Sequence, residues 1–339
     1  MYRRRLAPKT FRWTAAGQNL MTFRQISRAL PLAGCLVLAA CSQTRDTFLV
    51  PGGPIAEAQR AELIQILGWT LIAIVPVFLL VPILLRRYRY GNGSARYTPD
   101  WERSPLLETL MWGVPLVIVT ILSVQLYRTT HALDPYKPIA SGNPPLRVDV
   151  VGLDWKFLFI YPDLGIATVN ELAFPEETSV ALDLTTDTVM QSFLISALAG
   201  QIYTMPGMRT RLHILADDPG SFEGENTQFN GDGFADQKFR AIAMAPTDFD
   251  AWAARVRSGG QPLTQASYAE LAEASSGAEA QRRLGAEGLP EGVVHFSSVE
   301  GDLFETILHR YMHGTAVPPS AQPGAVGYDP QTTLGKQTQ

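Results

Sequence analysis

Two long apolar runs separated by a short arginine-rich stretch constrain this chain more than any other feature. Residues 63–85 are apolar almost throughout, with Gln65 the one strongly polar member. Residues 105–127 form the second run, interrupted near its start by Glu108. At about 1.5 Å of rise per residue, roughly 20 helical residues cross a hydrocarbon core about 30 Å thick. Both runs have that length, so the pair predicts a transmembrane hairpin over 62–127. Pro76 and Pro82 lie inside the first run. Prolines are tolerated in a span where neighbouring helices satisfy the freed carbonyls. The intervening loop, 86–104, carries Arg86, Arg87, Arg89, Arg96 and Arg103. Short loops rich in Arg and Lys stay cytoplasmic, so both ends of the hairpin are expected in the periplasm.

A leader precedes the hairpin. Arg24 and Arg28 stand before an apolar stretch, 29–40, too short to span a bilayer. It ends in Leu38-Ala39-Ala40-Cys41, which resembles a bacterial lipobox. That resemblance implies removal of residues 1–40 and attachment of lipid to the Cys41 sulfur. The alternative is a plain export signal or anchor with a chance cysteine. Residues 41–61 then form a periplasmic N-terminal segment, which agrees with the topology from the arginines. Met21 is placed to start such a leader, with 1–20 as an upstream misread start or an unusual extension. Cys35, inside the apolar stretch, would leave with it. Cys35 and Cys41 are the only cysteines in the 339 residues, so the part beyond the hairpin has no disulfide framework and no cysteine metal site. A net charge of −4 argues against nucleic acid as a partner.

After a linker over 128–145, the apolar period changes from helical to strand-like. Leu146-Arg147-Val148-Asp149-Val150 alternates, as do 179–184, 208–214 and 238–243. Turn words separate these runs: Asp163-Leu164-Gly165, Asp217-Asp218-Pro219-Gly220 and Gly231-Asp232-Gly233. Short strands at this spacing predict an antiparallel sandwich or barrel over 146–245. A helical extension follows over 246–315. Thr247 is placed to cap a helix through Phe249, Trp252, Ala253 and Val256 that stops at Gly259-Gly260. Leu303, Phe304, Ile307, Leu308 and Tyr311 make one apolar stripe before Gly314. Residues 316–339 are rich in Pro, Gln, Gly and Thr and read as a disordered tail.

Local words narrow the description. Leu153-Asp154-Trp155-Lys156-Phe157 with Phe159-Ile160-Tyr161-Pro162 resembles the first strands of heme-copper oxidase subunit 2. So do 165–171, Val189-Met190-Gln191-Ser192-Phe193, Gln201-Ile202-Tyr203-Thr204-Met205 and the continuation over 206–212. Thr129-Thr130-His131-Ala132-Leu133-Asp134-Pro135 looks like the same family. The resemblance covers roughly 30–315 and lies nearest the bo-type ubiquinol oxidase branch. It implies a cupredoxin-like sandwich and a place beside subunit 1 of a membrane complex that oxidises ubiquinol, reduces oxygen to water and moves protons outward. The hemes and the catalytic copper would belong to subunit 1.

In cytochrome c oxidising relatives, the resemblance implies a dinuclear copper centre in this domain. Its ligands are a histidine and a Cys-x-Glu-x-Cys-x-x-x-His-x-x-Met loop. Here Gln191 stands at the first histidine. Asn226 and Asn230 stand at the cysteines, with Gln228 between them. Phe234 takes the place of the second histidine and Gln237 that of the methionine. Amides and a phenyl ring cannot replace bridging thiolates, so no cofactor or metal is expected in this chain. By the same resemblance Glu108, in the first turn of the second span, matches a glutamate of subunit 2 that lies at the cytoplasmic mouth of a proton channel in subunit 1. The competing reading is an interfacial charge favoured by the helix N-terminus.

Other candidates carry less. His309 and His313 have i, i+4 spacing that suits a metal or a plain surface pair. His213 reads as structural, His131 as a subunit contact, and His295 as uninformative. Trp155 would lie where electrons enter in copper-bearing relatives, and otherwise packs. Two other functional classes remain open: subunit 2 of a cytochrome c oxidase, and a free-standing membrane lipoprotein scaffold. The arginine loop and the spans imply membrane lipid as a further partner.

Overall fold

The computed structural model describes residues 47–90, 92–93, 100–286 and 288–311. Cys35, Cys41 and the leader, Arg96, His313 and the tail lie outside the described residues.

Helix α1 spans Pro54–Arg87 and helix α2 spans Pro105–Ala132. Each opens on a proline in its first turn, where the missing N–H is no loss. Both are long and apolar enough to cross a membrane. Only Ala56 of α1 and Ile118 of α2 are buried within the chain. Phe78 and Trp112, each 75% exposed, typify a surface that lipid or another helix must cover. Helix α1 begins well before residue 62, so the segment expected over 41–61 is helical from Pro54 onward.

Beyond the hairpin, the described residues fold as a two-sheet β-sandwich. Its strands are β1 Leu146–Leu153, β2 Lys156–Tyr161, β3 Ile166–Val169, β4 Glu171–Pro175, β5 Val180–Thr186, β6 Gln191–Ile195, β7 Ala199–Thr204, β8 Thr210–Ile214, β9 Gly220–Glu225, β10 Lys238–Met244, β11 Gln261–Leu263 and β12 Val294–Val299. One sheet runs β11-β12-β3-β2-β1-β5-β8 and the other β4-β10-β9-β6-β7. Pairing is antiparallel except for β1 with β5, β4 with β10, and β11 with β12. Between β3 and β4 the chain passes from one sheet to the other at Asn170, with φ +55°. Asn is one of the few side chains that accepts this left-handed conformation. Its Oδ1 takes the Phe157 N–H at 2.9 Å, which fixes the corner.

Period-2 alternation sends Val148 and Val150 of β1 into the space between the sheets. There Phe157, Phe159, Phe193 and Phe239 meet at ring separations of 4.9–6.4 Å. Each such ring removed from water contributes about 1.5–3 kcal/mol.

The extension is more than helical. Besides α3 Pro246–Gly259, α4 Gln265–Ala272, α5 Gly277–Arg283 and α6 Leu303–Arg310, it supplies β11 and β12, and β12 pairs antiparallel with β3. It therefore lengthens the larger sheet. Phe249, Trp252, Ala253 and Val256 of α3 join the core between the sheets. Helices α4–α6 build a second core on the opposite face, with Tyr268, Leu271, Phe304 and Ile307 against Leu153, Leu158, Val294 and Phe296. Thr247 does not cap α3. The helix starts at Pro246 with Ala245 before it and no side-chain cap. Proline is preorganised for the first helical position, which moves the start ahead of the threonine.

Candidate functional site

The copper-ligand positions inferred from the sequence converge on one end of the sandwich. Gln191 opens β6, Asn226 follows β9, and Gln237 precedes β10. Gln191 and Gln237 are fully buried and Asn226 is 4% exposed. Buried amides need partners for both their oxygen and their nitrogen. Here they supply one another. Gln237 Oε1 accepts from Asn226 Nδ2 at 2.9 Å and from Asn230 Nδ2 at 2.8 Å. Gln237 Nε2 donates to Gln191 Oε1 at 2.7 Å and to the Leu153 carbonyl at 3.2 Å. Gln191 Nε2 donates to the same carbonyl at 3.0 Å and to Thr188 Oγ1 at 3.1 Å. Asn226 Oδ1 accepts from the Ser192 and Gln228 N–H groups, each at 2.9 Å.

Gln228 thus joins through its main chain. Phe234 stays outside the network, with its ring 5.7 Å from that of Phe229. Gly152 is required beside the cluster, since a Cβ there would stand 2.6 Å from Gln191 Oε1. Trp155, with φ +65° in the β1–β2 turn, lies flat against Gly233. A Cβ at Gly233 would fall 2.1 Å from its ring. The cluster is neutral and hydrogen-bonded internally. Among the described residues, no three His, Cys, Asp or Glu side chains are grouped as a metal ion would need.

Three buried charged ties fasten the extension beside this end, and sequence reasoning missed all of them. Lys156 is fully buried. Its Nζ donates to the carbonyls of Asp154, Glu273 and Ser275 at 3.0, 2.9 and 3.0 Å and to Ser275 Oγ at 3.1 Å. Burial pushes its ammonium down to about 7, with Asp154 pulling the other way. Asp187, in the β5–β6 loop, takes Arg310 Nη1 on both oxygens, the Tyr268 hydroxyl at 2.5 Å and the Tyr311 hydroxyl at 3.0 Å. Burial raises this carboxyl, and Arg310 and the tyrosines oppose it. Glu171 Oε1 accepts from Trp252 Nε1 and meets His295 Nε2, each at 2.8 Å. The available signal was a lysine in an apolar strand word, and an arginine at the end of the apolar stripe of α6.

The remaining candidates lie elsewhere. Glu108 occupies the first turn of α2, where its N–H donates to the Ser104 carbonyl at 3.0 Å. Toward the sandwich end of the hairpin, Glu62 accepts from Gln125 and Thr129, both at 2.5 Å, and Gln125 also donates to Gln65 at 3.1 Å. Glu62 sits just outside the apolar run and was not singled out. His213 Nδ1 lies 3.0 Å from the Pro135 carbonyl, which joins β8 to the linker. His131 packs against Tyr127 with the two rings tilted by 42°, and His309 lies 3.6 Å from Glu305.

No protein-family model matches the chain. Whole-length relatives do. Cytochrome bo(3) ubiquinol oxidase subunit 2 of Pseudomonas putida is 39% identical over 282 residues, covering 83% of this chain and 85% of the relative. Ubiquinol oxidase subunit 2 of Acetobacter aceti is 39% identical over 292 residues, covering 86% and 90%. The chain belongs to the ubiquinol oxidase subunit 2 family. Quinol oxidase subunit 2 of Bacillus subtilis is more distant, at 33% over 257 residues, covering 74% of this chain and 79% of the relative. Among solved structures, the periplasmic domain of subunit II of cytochrome oxidase of Bradyrhizobium japonicum matches at 19% identity and a TM-score of 0.32, over 34% of this chain and 95% of that domain. In this member of the ubiquinol oxidase subunit 2 family, the amide cluster and Glu108 are therefore separate features, one in the sandwich and one in the hairpin.

Proposed function

We propose that this chain is the non-redox subunit 2 of a proton-translocating ubiquinol oxidase in a bacterial inner membrane. The complex oxidises ubiquinol and reduces oxygen to water. Subunit 1 carries the hemes and the catalytic copper, and this chain supplies an assembly surface and a carboxylate at the mouth of a proton channel. The observation that carries the non-redox reading is the amide cluster. Where copper-bearing relatives place thiolates and imidazoles, Gln191, Asn226, Asn230 and Gln237 bond to one another. The side-chain oxygens and nitrogens of Gln191, Asn226 and Gln237 are already committed to hydrogen bonds, and no soft ligand is among the four residues.

The arginines at 86, 87, 89 and 103 support a cytoplasmic loop and a periplasmic sandwich. Lipid attachment at Cys41 is compatible with that arrangement. Helix α1 rises about 14 Å between Leu63 and Pro54. Residues 47–53 turn against the sandwich, where the Gly52 N–H donates to the Ala197 carbonyl at 2.8 Å. Cys41, six residues before Thr47, reaches roughly 20 Å from it when extended. Mass spectrometry of the mature subunit tests this, and an unmodified N-terminus or one retaining Met21 refutes it.

The function is tested on the purified complex. This chain should comigrate with heme on a native gel, and the complex should oxidise ubiquinol rapidly and reduced cytochrome c hardly at all. Copper added to the purified chain should give no purple mixed-valence spectrum. Comparable turnover with cytochrome c, or a purple centre, overturns the reading.

A further inference from the structure

Helices α4–α6 leave part of the outer face of the larger sheet uncovered. Arg147 and Asp149 of β1, Asp183 of β5, and Arg211 and His213 of β8 floor a cleft of about 820 Å³ there, walled by Phe304 and Glu305 of α6 and by Tyr136 of the linker. Strand register sets these side chains in a row. Asp149 lies directly beside Asp183, and Asp183 beside Arg211. Arg211 Nε donates to Asp183 Oδ1 at 3.1 Å. Arg209 reaches Asp183 at 3.5 Å and also binds Glu305. Arg147 is drawn away to Asp163. On the other flank of Asp149 stands Ile160.

Among the described residues, the Asp149 carboxylate forms no hydrogen bond and no direct ion pair. Its nearest charged cross-strand neighbour is another carboxylate, and like charges directly opposite one another are unfavourable. Burial first, and Asp183 second, push its carboxyl up to about 6. Arg209 and Arg147 attract this charge from a distance while Asp302 repels it. Both arginines pair directly with other acids, so in the free chain the Asp149 carboxylate has no ion pair of its own.

We propose that this open sheet face docks a basic side chain, lysine or arginine, from a polypeptide of a neighbouring oxidase subunit, seated against Asp149. The proposal rests on the reading of the chain as a subunit of a complex. Charge complementarity selects the occupant. A guest cation relieves the Asp149–Asp183 repulsion and meets the carboxylate of that pair that has no direct ion pair.

The test uses two measurements with opposite signs. In the full chain purified alone in detergent, Asp149→Asn should raise the unfolding midpoint, because it removes a like-charge pair. In the assembled complex, the same change should shorten the half-life of this chain in the heme-containing native band roughly tenfold. Asp149→Lys should shorten it further, and Asp149→Glu should retain it. If the parent chain fails to comigrate with heme, the assembly reading itself fails. If the parent comigrates and Asp149→Asn leaves the half-life unchanged, or destabilises the free chain, the docking proposal is overturned. A shortened half-life that delipidation of the parent reproduces would assign the cleft to a lipid amine, and overturns it as well.

Discussion

Arg310 Nη1 stands 2.7 and 2.6 Å from the two carboxylate oxygens of Asp187, a residue 123 positions earlier in the chain. Arg310 is 3% exposed and Asp187 not at all. The last helix of the extension is thereby locked to the loop that leads into Gln191. Replacing a buried pair whole is often neutral, but removing one partner leaves a charge without compensation, at about 3–5 kcal/mol. Arg310→Met should therefore destabilise the purified chain by about 3–5 kcal/mol in denaturant unfolding. Asp187→Asn combined with Arg310→Met should recover part of that loss. A single-variant loss below about 1 kcal/mol would show that Asp187 is already neutral in the native state.

The amide cluster makes a second prediction. Gln237→Met keeps the volume but removes the group that bonds Gln191, Asn226 and Asn230 at once. Each buried amide atom left unpartnered costs about 1–3 kcal/mol. The variant should unfold about 2–4 kcal/mol more easily, with far-ultraviolet dichroism unchanged. Gln237→Glu should be worse at neutral pH, because a buried carboxylate beside Gln191 Oε1 replaces a donor with an acceptor. Equal stability of the parent and Gln237→Met would mean that the network contributes nothing.

How much of this was legible depended on sequence distance. The spans were plain because length and hydropathy alone decide them. Strands β1, β5, β8 and β10 were plain because one face of each is apolar. Strands β11 and β12 were not, since β11 is three residues long and β12 follows helical words. Resemblance picked out Gln191, Asn226, Asn230 and Gln237 as positions, but nothing in the linear sequence says that they satisfy one another. Lys156 with Glu273, and Glu171 with His295, are 117 and 124 residues apart, and no periodic pattern links such pairs. His295 read as uninformative because its partner lies on another strand.

Two acids make opposite contributions to the pH dependence of stability. Burial raises the Glu171 carboxyl, but the His295 and Trp252 hydrogen bonds outweigh it and hold the group below its ordinary value. The native state then binds fewer protons than the unfolded state in acid, so this contribution is present at neutral pH and lost as pH falls through the folded value. Asp149 is the reverse. Raised from 3.8 to about 6, it penalises the native state above about pH 6, and the penalty lifts as pH falls toward 4. Glu171→Gln should flatten the acid loss of stability and lower stability at pH 7. Asp149→Asn should stabilise the chain at pH 7 by about 1–2 kcal/mol, after allowance for its partial exposure, and make no difference below pH 4. Unfolding midpoints from pH 4 to 8 decide both, and matching profiles for the two variants would refute the assignment.

Glu108 carries the functional prediction. It lies in the first turn of α2, three residues after Pro105, and its side chain is exposed in the isolated chain. Arg103 precedes it on the loop side, which under the proposed topology puts it just inside the cytoplasmic boundary. Helix N-termini stabilise a carboxylate in this position. Contact with water lets it exchange protons, and a group that both gains and loses a proton suits a relay. Glu108→Gln keeps the shape and removes the exchangeable charge. It should slow steady-state oxygen reduction by roughly tenfold or more, as loss of a proton-transfer group does, with heme content and comigration unchanged. Glu108→Asp should keep most of the activity, because the acid is preserved and only shortened. The apparent quinol affinity should stay at the parent value in both, since the defect lies in proton delivery to the oxygen-reducing site. Turnover, heme spectra and quinol affinity measured on the same preparations separate the possibilities. A Glu108→Gln complex with normal heme content that turns over like the parent would leave Glu108 as an interfacial charge.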